Sequence, residues 1–405
     1  MKISITSKLF LIKFNNHHIK HLLLIITQKR DYSYTKKRFH TIKCDNMKKI
    51  ILIIISLILY LPSKIYALDT SASSYILYDM DSGRTILGKN IHDSRLIASI
   101  TKIMTSIIAI ESNKLEDIVT VDDSIASAYG SGIYIQVGEK LTLKDLLYGL
   151  MLRSGNDAAL MISNYLCGSE EEFVKKMNEK ASSLGMKDTT FVNSSGLDEK
   201  GGNYSSSYDM ALLTSYANNN PVYREIVKTK KYTLKTNYKT YIWHNKNKLL
   251  SLDYITGGKT GFTEKARRTL VSTASKDNIN LVVVTLNDGN DWEDHKKLYE
   301  YAFNNYKSYK ILDKNTYKVT EDNYYQGNLY IKKDVYLTLK EEETKKLINN
   351  IKLEKKRKYK NGDAVGENQI YLDDKLILTE KIYVKKENKY QPKISFWEKI
   401  LNFFK

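Results

Sequence analysis

The chain has 405 residues, 27% of them charged, and a formal net charge of +18. That length allows two domains. The charge is not a nucleic-acid footprint, because residues 1–46 hold ten Lys/Arg against two Asp and supply much of it.

Met47-Lys48-Lys49 opens an apolar run from Ile50 to Leu61, and Pro62-Ser63-Lys64-Ile65-Tyr66-Ala67 follows. Basic, apolar and then small residues in that order read as a secretory signal over 47–67, cut after Ala67. The run of 12 residues is short of the ~20 that a spanning helix needs; the alternative is an uncleaved N-terminal anchor. A signal with its own methionine makes residues 1–46 read as an over-extension of the frame. Cleavage leaves 51 basic against 44 acidic residues, a balance of +7 suited to anionic polymers and lipid head groups. Of Cys44 and Cys167 only Cys167 then remains. An exported chain with one thiol forms no internal disulfide, so its stability comes from its core.

Tyr75–Asp79, Met80–Gly83 and Arg84–Leu87 predict strand, turn and strand. From Leu96 to Ile110 apolar residues come too densely for a surface helix, which predicts a buried one with Ser99 in its first turn. Leu146–Leu166 reads as one further helix. Thr269–Ala274 and Ile279–Leu286 predict a hairpin, and a helix bearing Trp292, Leu298, Tyr299, Ala302 and Phe303 follows it. Strands at both ends with helices between them argue for an α+β domain over 68–310, its termini meeting in one antiparallel sheet flanked by helices. Tyr330–Leu339 and Gln369–Val384 alternate as strands do, so residues 311–390 read as a small β domain. Over 391–405, Ile394, Trp397, Leu401 and Phe404 recur at helical spacing. That pattern predicts an amphipathic helix lying on a membrane face, the alternative being packing on its own domain.

Three strings carry chemistry: Ser99-Ile100-Thr101-Lys102, Ser154-Gly155-Asn156 and Lys259-Thr260-Gly261, separated by 55 and 105 residues. Ser33-Tyr34-Thr35-Lys36 repeats the first spacing without partners, so the ordered set is informative and no single string is. A serine hydroxyl needs a base. Lys102, three residues on, shares a face with Ser99, and burial or a nearby cation such as Lys259 would lower its pKa into a useful range. Ser154 would pass a proton to a departing amine, and Asn156 would hold a substrate amide. Lys259 and Thr260 would hold a terminal carboxylate, and Gly261 lets the backbone approach a ligand. The N–H groups of Ser99 and Phe262 would form an oxyanion hole.

These strings resemble the D-alanyl-D-alanine carboxypeptidases, the low-molecular-mass penicillin-binding proteins. Gly138-Glu139, Leu146–Met151, Leu184-Gly185-Met186, Thr190–Asn193, Gly196-Leu197 and Asn245–Leu250 extend the likeness over about 70–307. The resemblance implies a penicillin-binding/β-lactamase-like transpeptidase fold. It also implies removal of the last D-alanine from a peptidoglycan stem pentapeptide through an acyl-enzyme on Ser99. In that reading Lys102 is the base, Ser154 the proton shuttle, Asn156, Lys259, Thr260 and Gly261 bind substrate, and β-lactams trap the intermediate. No cofactor or metal is implied, and His92, His244 and His295 lack metal-ligand spacing. Arg267-Arg268 depart from the Gly and aromatic residue of many relatives. A class A-like β-lactamase would want a glutamate after the second string, where Gly185–Leu197 offers only Asp188. A catalytically silent wall-binding protein is the remaining alternative.

Overall fold

The computed structural model describes residues 69–198, 201–320, 322, 324–325, 327–355 and 358–385. The expected extension (1–46), signal (47–67) and terminal helix (391–405) lie outside them. Among the described residues no helix is long and apolar enough to cross a membrane.

Strand β1 (Ser74–Asp79) is buried at every position, because both faces of its sheet are covered. Ile76 and Tyr78 join the core beneath the helical lobe. Tyr75 and Leu77 join a second core with Leu298, Tyr299 and Ala302. Strand β2 (Arg84–Lys89) folds back on β1, as expected. The helix expected from Leu96 begins as a 3-10 turn at Ala98–Thr101 and continues as α1 (Lys102–Glu111). Residues three apart eclipse one another in a 3-10 turn, which is why Ser99 and Lys102 can face each other directly.

The single helix expected over Leu146–Leu166 is corrected to two. α2 (Leu143–Tyr148) starts on a Thr142–Asp145 capping box and runs into a π turn at Gly149–Arg153. Ser154 then takes a left-handed backbone, φ 65°, before α3 (Asn156–Cys167). Apolar periodicity runs through the break, so it hides a reversal that delivers the Ser154 side chain. Helices α4 (Glu170–Ser183), α5 (Ser207–Asn218) and α6 (Pro221–Lys228) complete the lobe.

The chain returns to the sheet through β3 (Ile255–Thr263), β4 (Arg267–Lys276) and β5 (Ile279–Leu286). Asp277 and Asn278 form the two-residue turn of the β4–β5 hairpin, both at positive φ, as the right-handed strand twist prefers. The sheet is antiparallel in the order β2-β1-β5-β4-β3. Chain termini of the domain therefore pair in its centre, and the Lys259 string lies on its edge strand. Helix α7 (Asp291–Asn305) covers the face away from the helical lobe. The α+β reading holds.

Strand β6 (Lys307–Leu312) leads into the β-rich part. The stretch Tyr330–Leu339, read as one strand, is two: β7 (Leu329–Tyr330) and β8 (Val335–Leu339) belong to different sheets. β8 pairs with β6, while β7 lies beside β11 (Lys375–Val384). β10 (Ala364–Leu372) and an edge strand β9 (Leu347–Leu353), missed because its burial barely alternates, complete the second sheet. Arg84 of β2 joins the two parts: its guanidinium donates to the Thr338 carbonyl at 3.2 Å and pairs with Glu343.

Ile103 is fully buried at the start of α1. Replacing it with alanine should cost about 2–5 kcal/mol, read as a lower midpoint in urea unfolding with an unchanged slope.

Candidate active site

Lys102 is fully buried, and its amine reaches three acceptors. It lies 3.2 Å from Ser99 Oγ, 2.7 Å from Asn156 Oδ1 and 2.6 Å from the Ser195 carbonyl. Burial first, and then the charge of Lys246, push its pKa down to about 7. Asp157 and Glu170 act the other way without prevailing. A neutral amine has two hydrogens and one lone pair. Asn156 Oδ1 and the Ser195 carbonyl take the hydrogens, which leaves the lone pair for the hydroxyl of Ser99.

Asn156 is itself held from three sides. Its Nδ2 donates to the Tyr129 carbonyl at 2.6 Å, its N–H to the Ser131 carbonyl at 2.7 Å, and its Oδ1 receives Lys102. The loop carrying Tyr129 and Ser131 is pinned by Asp157, whose carboxylate accepts from the N–H of Ile133 and of Tyr134. That carboxylate is the hidden content of the second string: it fixes the wall against which Asn156 is oriented.

Lys259 enters from β3 and donates to Ser154 Oγ at 3.1 Å and to the Thr260 carbonyl at 2.7 Å. Full burial, Lys102 and Lys246 hold its pKa well below the usual lysine range. Thr260 is half-buried beside it and Phe262 is exposed further along the edge. Gly261 meets the nucleophile turn: a Cβ there would stand 2.3 Å from Thr269 Oγ1 and 3.0 Å from the Ser99 nitrogen. The absence of a side chain lets β3 lie against the Ser99 amide. The Ser99 turn is held from behind as well. Ala98 sits at φ 49°, and a Cβ on Gly196 would fall 2.0 Å from the Ala98 carbonyl oxygen.

Folding thus gives two hydrogen-bonded groups, Ser99–Lys102–Asn156 and Ser154–Lys259, close enough for the charge of Lys102 to act on Lys259, with Thr260, Gly261 and Phe262 along the edge strand. Two contributors had no recognisable sequence signal. The Ser195 carbonyl is a backbone atom. Glu170 reads as an ordinary first-turn acid of a helix, yet its carboxylate accepts the Ser194 N–H at 2.9 Å and hydroxyl at 2.6 Å, fixing the loop that presents that carbonyl. Lys246, in the Asn245–Leu250 stretch of the resemblance, donates to Ser131 Oγ at 3.4 Å. Arg268, the departure noted above, donates to Asp291 at 2.7 Å and lies over the Trp292 ring. Asp188, the acid after the second string, faces His92 at 3.1 Å. His295 is fully buried against Ser272 and Thr285 and is kept neutral, its pKa driven down to about 3. Among the described residues no group of three or more His, Cys, Asp or Glu could hold a metal ion.

A buried lysine paired with a half-buried serine, beside a second serine and lysine, defines a serine acyl-transfer enzyme on a penicillin-binding-protein fold. Comparison with known proteins gives the family. Residues 62–290 match the D-alanyl-D-alanine carboxypeptidase family, and residues 306–390 match the C-terminal domain of penicillin-binding protein 5. The chain is 35% identical over 254 residues to the D-alanyl-D-alanine carboxypeptidase DacF of Bacillus subtilis, spanning 60% of this chain and 65% of that one. It is 30% identical over 362 residues to DacA of Escherichia coli, spanning 82% and 87%. Penicillin-binding protein 5 from Haemophilus influenzae superposes with a TM-score of 0.66 at 26% identity, covering 78% of this chain and 97% of that structure. The chain belongs to the D-alanyl-D-alanine carboxypeptidase family and is a serine peptidase.

With Lys102 titrating near 7, the proton-accepting form is the one that prevails above that pH. The rate of acylation by benzylpenicillin should therefore rise with pH through a midpoint near 7 and fall below it. Lys102→Arg, permanently charged, should lose about 10²–10⁴-fold at every pH, measured by stopped-flow acylation.

Proposed function

We propose that this enzyme removes the C-terminal D-alanine from peptidoglycan stem pentapeptides ending in D-Ala-D-Ala, acting outside the cytoplasmic membrane. The observation that supports this reading best is the buried Lys102 amine 3.2 Å from the Ser99 hydroxyl. Neutral Lys102 takes the Ser99 proton as Oγ attacks the carbonyl carbon of the penultimate residue. The N–H groups of Ser99 and Phe262 receive the developing oxyanion, an interaction worth roughly 3–4 kcal/mol per donor. Ser154, bonded to Lys259, delivers a proton to the departing amine and regains one relayed from the Lys102 ammonium, and D-alanine leaves. Water then attacks the ester on Ser99 while the neutral Lys102 takes its proton, and Lys102 hands that proton to Ser99 Oγ as the acyl group leaves. Asn156 orients the substrate amide, and Thr260 and Lys259 bind toward its terminal carboxylate. A β-lactam offers the same carbonyl and carboxylate but keeps its leaving group tethered, so the ester persists.

The basic-apolar-small order of residues 47–67 supports export, and the apolar repeat of 391–405 supports docking on the outer membrane face. A class A-like β-lactamase is disfavoured because Asp188 faces His92 and no acid of Gly185–Leu197 contacts the Lys102–Ser99 pair.

Incubation with a peptide ending in D-Ala-D-Ala should release D-alanine. Benzylpenicillin should add its full mass to a single site that Ser99→Ala abolishes. Rapid turnover of penicillin, or D-alanine release that survives Ser99→Ala, would reverse the assignment. Intact mass of the exported form should place its first residue at Leu68; peptides from residues 1–46 in that form would refute cleavage.

A further inference from the structure

A two-stranded hairpin, Lys231–Lys235 against Thr240–His244, takes no part in the mechanism above. It is nevertheless built against the pocket at both of its ends. At the root the Asn245 N–H donates to the Lys230 carbonyl at 2.9 Å, and the Lys246 N–H to the carbonyl of Leu152, just ahead of Ser154, at 3.1 Å. At the tip the Tyr238 hydroxyl donates to the Val137 carbonyl and the Lys239 amine to the Tyr134 carbonyl, both at 3.0 Å. Tyr134 belongs to the loop that Asp157 pins beside Asn156. The inner face is packed: Tyr232 stacks on Tyr148 with ring centroids 3.8 Å apart, and Tyr241 and Trp243 are buried in the core of the helical lobe. The hairpin is therefore a fixed arm, and its outer face is presented in one orientation.

Residues 226–252 hold seven lysines and no Asp or Glu. The register sets Lys231, Thr233 and Lys235 opposite His244, Ile242 and Thr240, and all six are exposed. Lys231 and Lys235 stand ~13 Å apart along their strand, with Lys228 and Lys230 exposed just before them. Among the described residues none of these four ammonium groups forms an ion pair. Asp145 and Glu139 meet the hairpin from its buried side, where they accept the Tyr232 hydroxyl at 2.5 Å and the Tyr241 hydroxyl at 2.8 Å. One exposed lysine is ordinary and contributes little. Four on a rigid arm without an acid make a positive field that an anion spanning them relieves. Ring surface lies at the tip of the same arm, with Tyr134 74% exposed and Tyr238 51%.

A single stem peptide has one C-terminal carboxylate, and in the mechanism above that end lies inside the pocket. A row of lysines outside the pocket matches an anion repeated along a polymer. The carboxypeptidase reading supplies such a polymer. Stem peptides branch from a glycan strand at intervals, and each ends in a carboxylate before and after D-alanine is removed. Sugar rings add apolar C–H faces that lie against aromatic side chains, whose bodies are apolar and whose tips are polar. A phosphodiester polymer or a bilayer surface offers the charge without those faces. Ammonium groups beside exposed tyrosines thus favour a glycan with carboxylated branches.

We propose that the outer face of this hairpin docks the peptidoglycan strand, holding the carboxylates of stems next to the one in the pocket, and so directs the enzyme to polymeric substrate. The proposal rests on the carboxypeptidase reading. Enzyme whose Ser99 is blocked by benzylpenicillin should co-sediment with peptidoglycan sacculi stripped of attached phosphate polymers. Raising salt from about 0.05 to about 0.3 M should weaken that binding several-fold. Lys231→Gln/Lys235→Gln should raise the apparent Kd about 5- to 30-fold and flatten the salt dependence. The same variant should keep kcat/KM for a soluble pentapeptide within about twofold of wild type. Amidating the sacculus carboxylates should bring wild-type binding down to that of the double variant. Tyr238→Ala should weaken sedimentation and leave its salt dependence in place.

Unchanged sedimentation of the double variant would overturn the inference. Equal losses on soluble peptide and on sacculi would also overturn it, because they mark damage to the pocket and not to a docking face. Binding that requires the phosphate polymers would assign the face to another anion. So would a double variant that loses phosphatidylglycerol vesicles and keeps sacculi; either result sinks the proposal. The parent reading is judged separately, by D-alanine release from the soluble pentapeptide with wild-type enzyme. Release there, with sacculus binding indifferent to Lys231 and Lys235, removes only the docking assignment.

Discussion

The removal of one amine from water governs the rest of this structure. Lysine in water holds its proton at neutral pH and cannot act as a base. Lys102, enclosed by the α1 core and presented with two fixed acceptors, releases it near pH 7. Desolvation disfavours the charged form, and the charge of Lys246 adds to that effect. The fold bears the cost of burying a polar group by satisfying it: every direction in which the amine could donate or accept is met by a named atom. This is why so much of the helical lobe is spent on positioning. Asp157 fixes the loop behind Asn156, and Glu170 fixes the loop that presents the Ser195 carbonyl. Both are carboxylates bound to backbone or hydroxyl hydrogens and not to the lysine itself. Direct pairing with Lys102 would stabilise its ammonium and raise the pKa that the site has to lower.

The sheet solves a different part of the problem. Its order, β2-β1-β5-β4-β3, leaves β3 on an edge, so the string at Lys259 has one side unpaired and available to an extended peptide. An edge strand is usually a hazard for aggregation; here the nucleophile turn lies against it. The close approach of β3 to Ser99 depends on Gly261, and that of Ala98 to the next loop depends on Gly196. Neither glycine is chosen for a turn alone. Each marks a place where two backbones meet with no room for a methyl group.

How much of this was legible in the residues depended on the distance over which the signal acts. The hairpins, the buried helix at Ser99 and the closing helix were readable because local apolar patterning decides them. The three strings were readable because their chemistry is unusual and their order restrictive. The break at Ser154 was not, since the apolar repeat of α2 and α3 runs on through a reversal made by one left-handed residue. The split of Tyr330–Leu339 between two sheets was invisible for a related reason, because alternation reports that a segment is extended and not which neighbour it pairs with. Glu170 and Ser195 were missed because their roles depend on partners many residues away. A first-turn glutamate and a loop carbonyl are common in any chain.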